Sequence, residues 1–558
     1  MGWVRKGLLL TLLILYGSCA VAAVEDTKLP PYQSGSCPLN VQDVPAPTSE
    51  QQFTPEQRLT IFISDLHFGV GKYQKNDQWY WHKEEDFRWD KEFTLFLRLI
   101  HEQGKGKTDL ILNGDTFELW QSLKQNCRHE ENKNLGCAQS EAMGRIRQVI
   151  DQHRSELNAI GLFADSGENR VIIVPGNHDA ALLFPDVASA VLKEIPHKSD
   201  RIRIAKEGYW LSANGLVYAE HGHQIGKEVN CFDLWPRPFV EQEGQNYLQR
   251  PWGEQFVQDY YNQYEHIYPI IDNLANEQDG IRYGLKTEGP SGLAKAAGKF
   301  FRFFVFDTSW EQFQRSLGRK DGVEPQWDVD HIRQKMGDRF LVESFPKDDP
   351  LRVEAETALG RKELGLSLKD LSNVEILEIC DKRASLLEEK KTITPCPRKD
   401  SDLAAAAQKL LRSRNAVYGE HLEHAYRLLV HAGKTKQRFE VFVYSHTHQA
   451  DAGFNPFEGK TNWDPLVVNT GAWQRVVTPE QLEEIKQAEG VAQKDVLPTL
   501  EPEKLPPCYS VIRVEPYSKR RNLKAVLQYW QQNKDGKWSF EESCKWRPRP
   551  NPHSPILE

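Results

Sequence analysis

Five short polar segments, each directly after an apolar stretch, constrain the fold of this chain most strongly. The apolar stretches are rich in β-branched and aromatic residues, which predicts buried strands. Open α/β sheets place ligand-binding side chains just beyond the carboxyl ends of their strands. The pattern therefore predicts an α/β core whose strands end at one shared site. The polar segments are Ser64-Asp65-Leu66-His67, Asn113-Gly114-Asp115, Gly176-Asn177-His178-Asp179, His221-Gly222-His223 and Ser445-His446-Thr447-His448.

Strands and helices are predicted to alternate through the first part of this core. The apolar stretches before the polar segments are Leu59–Ile63, Leu110–Leu112, Val171–Val174, Gly215–Tyr218 and Phe439–Tyr444. Amphipathic stretches at Trp89–Gln103 and Glu141–Gly161 have helical periodicity and lie between the earlier strands. Alternation of this kind indicates a layered α/β core.

The same patterns divide the chain into six parts. If His221 and His446 belong to one site, the long segment between them must be an insertion that leaves the core and returns. Its periodicity predicts a mostly helical cap. After the core, Tyr509–Val514 and Leu523–Trp530 alternate like two antiparallel strands. The predicted parts are a signal peptide (1–22), an extended leader (23–57), the first part of the core (58–225), the insertion (226–436), the second part of the core (437–475) and a C-terminal β extension (476–558).

The N-terminus has the features of a secretory signal. Arg5 and Lys6 precede the apolar run Leu8–Leu15, and small residues follow, with a cleavage site at Ala20-Val21-Ala22. The apolar run is shorter than the ~20 residues that a membrane-spanning helix needs. We therefore expect an exported protein, periplasmic or secreted. Cys19 leaves a lipoprotein anchor as an alternative.

Export implies an oxidising compartment, in which cysteines form disulfides. The chain has nine cysteines, of which Cys19 lies in the predicted signal. Proximity in the sequence suggests the pairs Cys127–Cys137, Cys380–Cys396 and Cys508–Cys544. None of them has the paired CxxC spacing of a structural zinc site.

The net charge and the aromatic residues indicate which binding partners the protein favours. The net charge of −8 disfavours nonspecific binding of nucleic acid, which needs a basic surface. In the insertion, the aromatic series Trp252–Tyr268 and Phe300–Phe306 fits ordinary helix packing better than a lipid-binding face. Peripheral membrane contact through the cap, or through a lipid on Cys19, stays open, as does the oligomeric state.

The polar segments carry the side chains of a dinuclear metal site. Aspartate and asparagine oxygens and histidine nitrogens suit manganese, iron or zinc better than calcium. Residues two apart on a strand face the same side, so Asp65 and His67 are expected to hold one ion together. Asp115 is the natural bridge, because a carboxylate has two oxygens. A pair of ions about 3.5–4 Å apart clamps a phosphate and activates a water molecule, which predicts phosphoester hydrolysis.

These motifs, in this order, resemble those of the calcineurin-like metallophosphoesterase superfamily. The resemblance covers about Leu59–Gln224 and Phe439–Trp473. It implies an α/β fold of the αββα type, two packed sheets flanked by helices. One departure is Ser445, where the family usually has glycine before its last His-x-His; serine is small enough that we expect the turn to survive.

The resemblance also implies a role for each residue of the motifs. One metal is expected on Asp65, His67 and His448, and the other on Asn177, His221 and His446, with Asp115 bridging the two ions. His178 is expected to face the substrate as the general acid for the leaving oxygen. His223 and Asp179 are expected to support the site or contact substrate, although Asp179 is also placed to cap a helix.

Within the superfamily, two segments resemble UDP-2,3-diacylglucosamine pyrophosphatases. These segments are Asn113–Trp120 and Asn469–Trp473. Those enzymes, however, carry arginine where this chain has His178, and they work in the cytoplasm. The resemblance therefore implies the chemistry but not the substrate, which we expect to be a small or lipid-linked phosphoester. The alternatives are a nuclease or nucleotide phosphodiesterase, and a non-catalytic interaction protein on the same scaffold.

Overall fold

The computed structural model describes residues 58–258 and 400–546, with short gaps in both ranges, and a few single positions between 262 and 273. The predicted signal peptide and leader, most of the predicted insertion, and the pair Cys380–Cys396 lie outside the described residues. None of the helices in the described part is long and apolar enough to span a membrane.

Most of the described strands belong to two central sheets. In chain order the strands are β1 (Leu59–Ile63), β2 (Lys72–Lys75), β3 (Gln78–Trp81), β4 (Thr108–Asn113), β5 (Leu135–Ala138), β6 (Arg170–Val174), β7 (Ile202–Ile204), β8 (Trp210–Leu211), β9 (Val217–Ala219), β10 (Phe239–Gln242), β11 (Gln245–Gln249), β12 (Val441–Tyr444), β13 (Asp451–Phe454), β14 (Leu466–Asn469), β15 (Cys508–Val514), β16 (Ala525–Gln532) and β17 (Trp538–Glu541).

Most of the described helices pack on the outer faces of these sheets. The α-helices are α1 (Asp90–Gln103), α2 (Gln139–Gln152), α3 (Arg154–Asp165), α4 (Pro185–Glu194), α5 (Trp252–Phe256), α6 (Asp400–His431) and α7 (Pro479–Glu489). Short 3-10 helices occur at Ala180–Leu183 and Pro502–Lys504.

The larger sheet has the order β17-β16-β15-β1-β4-β6-β7. Strands β1, β4, β6 and β7 are parallel, and β15 pairs antiparallel with β1. The strand predicted at Leu59–Ile63 is confirmed with these bounds. The two C-terminal strands are also confirmed as an antiparallel pair, in which Tyr509 lies opposite Trp530.

The smaller sheet has the order β13-β14-β12-β9-β8. Its central strands β9, β12 and β14 are parallel to one another. The predicted strand before His221 is β9, and the predicted strand before His446 is β12. Both sheets therefore contribute parallel strands that end in polar segments.

The two sheets pack face to face because successive residues of a strand point to opposite sides. In β1, Phe62 packs in the core between the sheets, whereas Ile61 and Ile63 pack in the core under the outer helices. In β12, Val443 faces the other sheet and Phe442 packs on the opposite side. This alternation gives strands that are buried on both faces.

The outer layers complete the αββα sandwich, which confirms the expected fold class. Helices α1 to α4 contribute to the core that covers the larger sheet. Helix α6 packs Leu422, Ala425 and Leu429 in one cluster with Phe442 of the smaller sheet. Helix α6 thus forms a layer of the sandwich, although the sequence pattern assigned its residues to the insertion.

The start of the predicted insertion is not helical. Strands β10 and β11 form a hairpin, and β11 pairs with β5, which comes from the first part of the core. The short helix α5 follows. The helical expectation for 274–399 concerns a segment outside the described residues, and it stays a prediction.

Two of the three predicted disulfides are confirmed. Cys127 pairs with Cys137, with a Cα–Cα distance of 4.7 Å, and Cys508 pairs with Cys544, at 5.7 Å. The second bond joins the start of β15 to the segment after β17 and fastens the end of the larger sheet.

The amphipathic stretch at Glu141–Gly161 forms two helices rather than one. Helix α2 ends and helix α3 begins at His153, whose backbone leaves the helical conformation. The buried imidazole has Nε2 3.4 Å from Glu85 Oε2 and Nδ1 3.7 Å from Glu156 Oε1. Burial alone lowers the pKa of His153, but the two carboxylates outweigh it and raise the pKa to about 9.

We expect His153 to make the stability of the protein depend on pH. Because its folded-state pKa lies above the ordinary value of about 6.5, the stabilisation is fully present below that pH and is lost as the pH rises through about 9. Denaturant unfolding of the wild type and of His153→Gln should show a difference of on the order of 2–3 kcal/mol at pH 6 that shrinks by pH 10. The partly exposed His197→Gln serves as control. A pH-independent difference would contradict this account.

Candidate active site

The polar segments after β1, β4, β6, β9 and β12 meet at one edge of the sandwich. Their ligand atoms form two groups, in each of which all atoms lie within 4.8 Å of one another. The first group is Asp65, His67 and His448, and the second is Asp115, His221 and His446. Asp65, His67, Asp115 and His221 are buried, whereas His446 and His448 are partly exposed. The sheets thus bring together residues that are far apart in the chain.

The second group also includes Asn177. His221 Nε2 lies 2.9 Å from Asp115 Oδ2 and 3.0 Å from Asn177 Oδ1. The other ring nitrogen of His221 lies 3.1 Å from the carbonyl oxygen of Asn113, to which it donates. This hydrogen bond leaves Nε2 as the nitrogen that faces the oxygens of Asp115 and Asn177.

The first group is linked to the second through Asp65. His448 Nε2 lies 3.3 Å from Asp65 Oδ1, and the same oxygen lies 4.0 Å from His221 Nε2. His67 Nε2 is buried and has no hydrogen-bond partner among the described residues, and buried Asp65 Oδ1 has these two imidazole contacts. Buried polar atoms are costly when they are unpartnered, so these atoms fit ligands of a cation.

Five residues of the two groups have a left-handed backbone. The φ angles are 51° at Asp65, 52° at His67, 49° at Asp115, 69° at His446 and 56° at His448. For residues other than glycine this conformation costs roughly 1–2 kcal/mol each. Asp65 and His67 were expected to face the same side because they lie two apart on a strand. This reason is wrong, because β1 ends at Ile63. The two side chains converge through the left-handed turns instead.

Two glycines allow the segments to approach closely. A Cβ atom on Gly114 would lie 2.1 Å from His221 Nδ1, and a Cβ atom on Gly176 would lie 2.2 Å from Asp115 Oδ1. Gly114 also has a φ of 96°. A larger residue at either position would displace a ligand side chain.

The histidines and carboxylates of the site shift the pKa values of one another. Burial alone raises the pKa of the Asp115 carboxyl, but His221 and His178 hold the pKa well below its usual range. Burial together with the positive charge of His221 lowers the pKa of His446 to about 3. The carboxylate is therefore charged and His446 neutral, the forms in which these groups bind metals.

Glu118 belongs to this site, although the sequence did not reveal it. Its Oε2 atom lies 2.8 Å from His67 Nδ1 and 2.5 Å from His178 Nδ1. Its Oε1 atom accepts hydrogen bonds from the backbone N–H groups of Trp120 and Gln121, at 2.7 and 2.8 Å. One carboxylate thus orients a metal-site histidine and the histidine expected to act as acid.

Glu118 is buried and charged. Burial raises its pKa, but His178 and His67 outweigh this effect and lower the pKa to about 2. A signal was present in the sequence, since Glu118 follows Asp115 by three residues within the segment Asn113–Trp120. Its two partners, however, are 51 and 60 residues away, and only the fold brings them together.

His178 lies beside the second group. Its backbone N–H donates to Asp115 Oδ1 at 2.9 Å, and its ring stacks on Trp120 with the centroids 4.0 Å apart. Because Glu118 holds Nδ1, Nε2 is the ring nitrogen left for a substrate. Burial lowers the pKa of His178, but Glu118 and Asp115 raise it above the ordinary value.

Asp179 connects two of the polar segments. Its carboxylate accepts the backbone N–H groups of Thr116 and Phe117, at 2.9 and 3.2 Å, and of Gly176, at 2.6 Å. Its side chain makes no capping bond to the 3-10 helix that follows it. Asp179 therefore braces the segment that carries Asp115.

His223 is buried beside the second group. Its ring packs edge-on against Trp235, with the centroids 4.3 Å apart, and lies 5.5 Å from the ring of His221. Neither ring nitrogen has a hydrogen-bond partner among the described residues. Burial and the neighbouring His221 lower its pKa well below the ordinary value, so the ring is neutral.

Ser445 takes part in the packing of the site. Its hydroxyl accepts hydrogen bonds from Asn113 Nδ2 at 2.8 Å and from Thr470 Oγ1 at 2.7 Å. The turn before His446 accommodates the serine, and its hydroxyl joins the segments after β4, β12 and β14.

The comparison with known families decides the chemistry of this site. The sequence model of the calcineurin-like phosphoesterase family matches residues 59–283. The chain contains a calcineurin-like phosphoesterase domain. The protein is therefore a metal-dependent hydrolase that acts on phosphoric esters. The match ends before His446 and His448, which the fold adds to the same site. No curated protein and no solved structure matches the chain significantly.

We expect Glu118→Gln to weaken both metal binding and turnover. The amide retains an oxygen for the Trp120 and Gln121 N–H groups, but it cannot accept from both histidines as the carboxylate does. Loss of such a partner of a metal-ligating histidine typically costs 10–100-fold, so manganese affinity and kcat/KM should fall by about this factor. The control is Glu156→Gln, which alters a buried Glu–His contact outside the site. Unchanged metal affinity and turnover would refute the role of Glu118.

Proposed function

We propose that this protein is an exported phosphoesterase with two metal ions, which hydrolyses a small or lipid-linked phosphoester with His178 as the general acid. The observation that carries the proposal is the pair of adjacent ligand groups at strand ends of both sheets, with Asp65 of the first group 4.0 Å from His221 of the second. Two ions held side by side by nitrogen and oxygen ligands can clamp a phosphate between them.

The residues present fit two divalent ions. Asp65, His67 and His448 would hold one ion, Asn177, His221 and His446 the other, and Asp115 would lie between them. When bound, the ions would polarise the phosphoryl group and activate the attacking water. The donor set of nitrogen and oxygen atoms suits manganese, iron or zinc.

His178 and Glu118 supply the proton for the leaving group. Burial lowers the pKa of His178, but the negative charge of Glu118 outweighs it and raises the pKa, which favours the imidazolium form with a proton at Nε2. Transfer of this proton to the ester oxygen as its bond to phosphorus breaks leaves a neutral imidazole, still held by Glu118 and by Trp120. General acid catalysis of this kind contributes about 10²–10⁴-fold.

The apolar side chains around His178 support a compact or partly apolar substrate. Leu119, Trp120 and Phe232, together with Arg145 and Glu254, line a small cavity next to His178 that has room for about one water molecule. A polynucleotide would be expected to use an extended basic groove instead. The pocket includes residues of the segment Asn113–Trp120, which resembles UDP-2,3-diacylglucosamine pyrophosphatases. A pyrophosphate bond thus remains among the substrates we propose, together with monoesters and diesters.

Export is supported by the N-terminal signal features and by the disulfides. The bonds Cys127–Cys137 and Cys508–Cys544 are stable in an oxidising compartment and uncommon in a reducing one.

Turnover of model substrates tests the proposed reaction. With manganese, the purified protein should hydrolyse bis-p-nitrophenyl phosphate or p-nitrophenyl phosphate, and the ratio of the two rates distinguishes a diesterase from a monoesterase. Asp115→Ala removes the residue between the ions and should reduce turnover to that of buffer with metal alone. Equal activity of Asp115→Ala, or no activity of metal-loaded wild type toward either ester, would refute the proposal.

The role of His178 predicts a dependence on the leaving group. For His178→Asn, an alkyl phosphoester needs the missing proton and should lose about 10²–10⁴-fold in kcat. A p-nitrophenyl ester, whose leaving group is already a weak base, should lose much less. Equal losses on the two esters would show that His178 does not act as the general acid.

A further inference from the structure

An exposed hairpin of aromatic residues follows the first metal-binding segment. We name Lys72–Trp81, which comprises β2 and β3, the aromatic hairpin. Trp79 is 65% exposed, Tyr73 44% and Tyr80 41%. Large aromatic side chains are rarely left in water in such a group without a function.

The base of the aromatic hairpin is firmly attached to the core. The His82 N–H donates to the Gly71 carbonyl at 2.9 Å, and the Gly71 N–H donates to the buried carboxylate of Glu85. The Lys72 N–H donates to Gln152 Oε1 at 3.1 Å. The hairpin is therefore held in one orientation while its strands project into solvent.

The tip of the hairpin is a tight turn. Asn76 and Asp77 have φ angles of 51° and 57°, as a two-residue hairpin turn with the twist of the strands requires. Asparagine and aspartate tolerate this conformation well. The ribbon is thus regular from its base to its tip.

Each face of the ribbon carries aromatic rings beside lysine. Tyr73 lies opposite Tyr80, and their rings stack with centroids 5.8 Å apart. On the other face, Lys72 lies opposite Trp81, and its Nζ atom is 4.0 Å from the centre of that ring. Neither face forms part of the buried clusters of the described residues.

We propose that the aromatic hairpin docks the protein on an anionic phospholipid surface. Tryptophan and tyrosine favour the headgroup level of a bilayer, where the ring is buried and the polar atom stays wet. From Lys72 to Lys83 the segment has three lysines and one acidic residue, Asp77, in a chain with net charge −8. This local positive charge complements anionic headgroups.

A protein partner and a single-stranded nucleic acid fit the hairpin less well. The hairpin presents no aliphatic side chain to form the apolar centre of a protein interface, since its residues are lysine, tyrosine, glutamine, asparagine, aspartate and tryptophan. Binding of a single-stranded nucleic acid needs a positively charged groove along the strand, and the hairpin is a two-stranded ribbon that projects into solvent rather than a groove.

Docking would bring the active site close to the lipid headgroups. Gly71, at the base of the hairpin, is four residues from His67, a distance of at most about 14 Å along an extended chain. The hairpin itself contains none of the residues assigned to hydrolysis. Membrane binding is therefore independent of the proposed function, and the two can fail separately.

Vesicle binding tests the proposal directly. Purified protein is sedimented with vesicles of phosphatidylcholine alone and of phosphatidylcholine mixed with phosphatidylglycerol, at about 0.1 M and about 0.5 M salt. Wild type should bind the anionic vesicles and lose most of this binding at the higher salt. Trp79→Ser/Tyr80→Ser and Lys72→Glu/Lys75→Glu should each lower the partition coefficient about tenfold or more.

Two matched controls separate the hairpin from general surface effects. Leu162→Ser changes an isolated side chain on α3 that is 70% exposed. Lys206→Glu/Lys436→Glu makes the same change in net charge at exposed lysines elsewhere. Both controls should bind vesicles like wild type, and all variants should retain wild-type turnover of a soluble ester.

Three results would overturn the proposal. These are equal binding of wild type and both hairpin variants, equal loss of binding in the controls, and binding to neutral vesicles as strong as to anionic ones. Competition by a single-stranded oligonucleotide that depends on Trp79 and Tyr80, without vesicle binding, would assign the hairpin to nucleic acid instead.

Discussion

The fold depends on the burial of two carboxylates at the edge where the sheets meet. Asp65 and Asp115 are almost completely inaccessible to solvent, and they repel each other. Buried charges are tolerated only when opposite charges or strong hydrogen bonds compensate them. Here the imidazoles of His221 and His448 approach from the second sheet. The attraction between these groups, and to the cations they are built to hold, offsets the cost of the left-handed turns that carry them.

Hydroxyl groups beneath the ligands join the two sheets. Ser64 donates to Asp65 Oδ2, and its hydroxyl lies 2.6 Å from Thr470 Oγ1, which in turn bonds Ser445. On the far side, Glu220 precedes His221 and contacts both Tyr218 and His421 of α6. The ligands are thus held by a continuous polar layer, which is the arrangement that gives a metal site its rigidity. Glu118 extends this layer to His178.

Much of the architecture was predictable, because buried strands leave a strong apolar signal. The strand before Asp65 has the predicted bounds, and the predicted ligand side chains converge in two groups. The split between α2 and α3 was not predictable, since the periodicity continues through His153 and only its contacts with Glu85 and Glu156 explain the break. The double contact of Glu118 depends on residues that are distant in the chain. The left-handed φ angles at aspartate and histidine were likewise not predictable, because these residue types do not indicate that conformation.

Anomalous diffraction from crystals of the purified protein, recorded at the manganese, iron and zinc absorption edges, tests the central claim most directly. The account predicts two peaks, one bounded by Asp65, His67 and His448 and one by Asn177, His221 and His446, with Asp115 between them. The absorption edge at which each peak appears would also identify the metal. A map without peaks at these residues, from metal-supplemented crystals with the side chains arranged as described, would contradict the account.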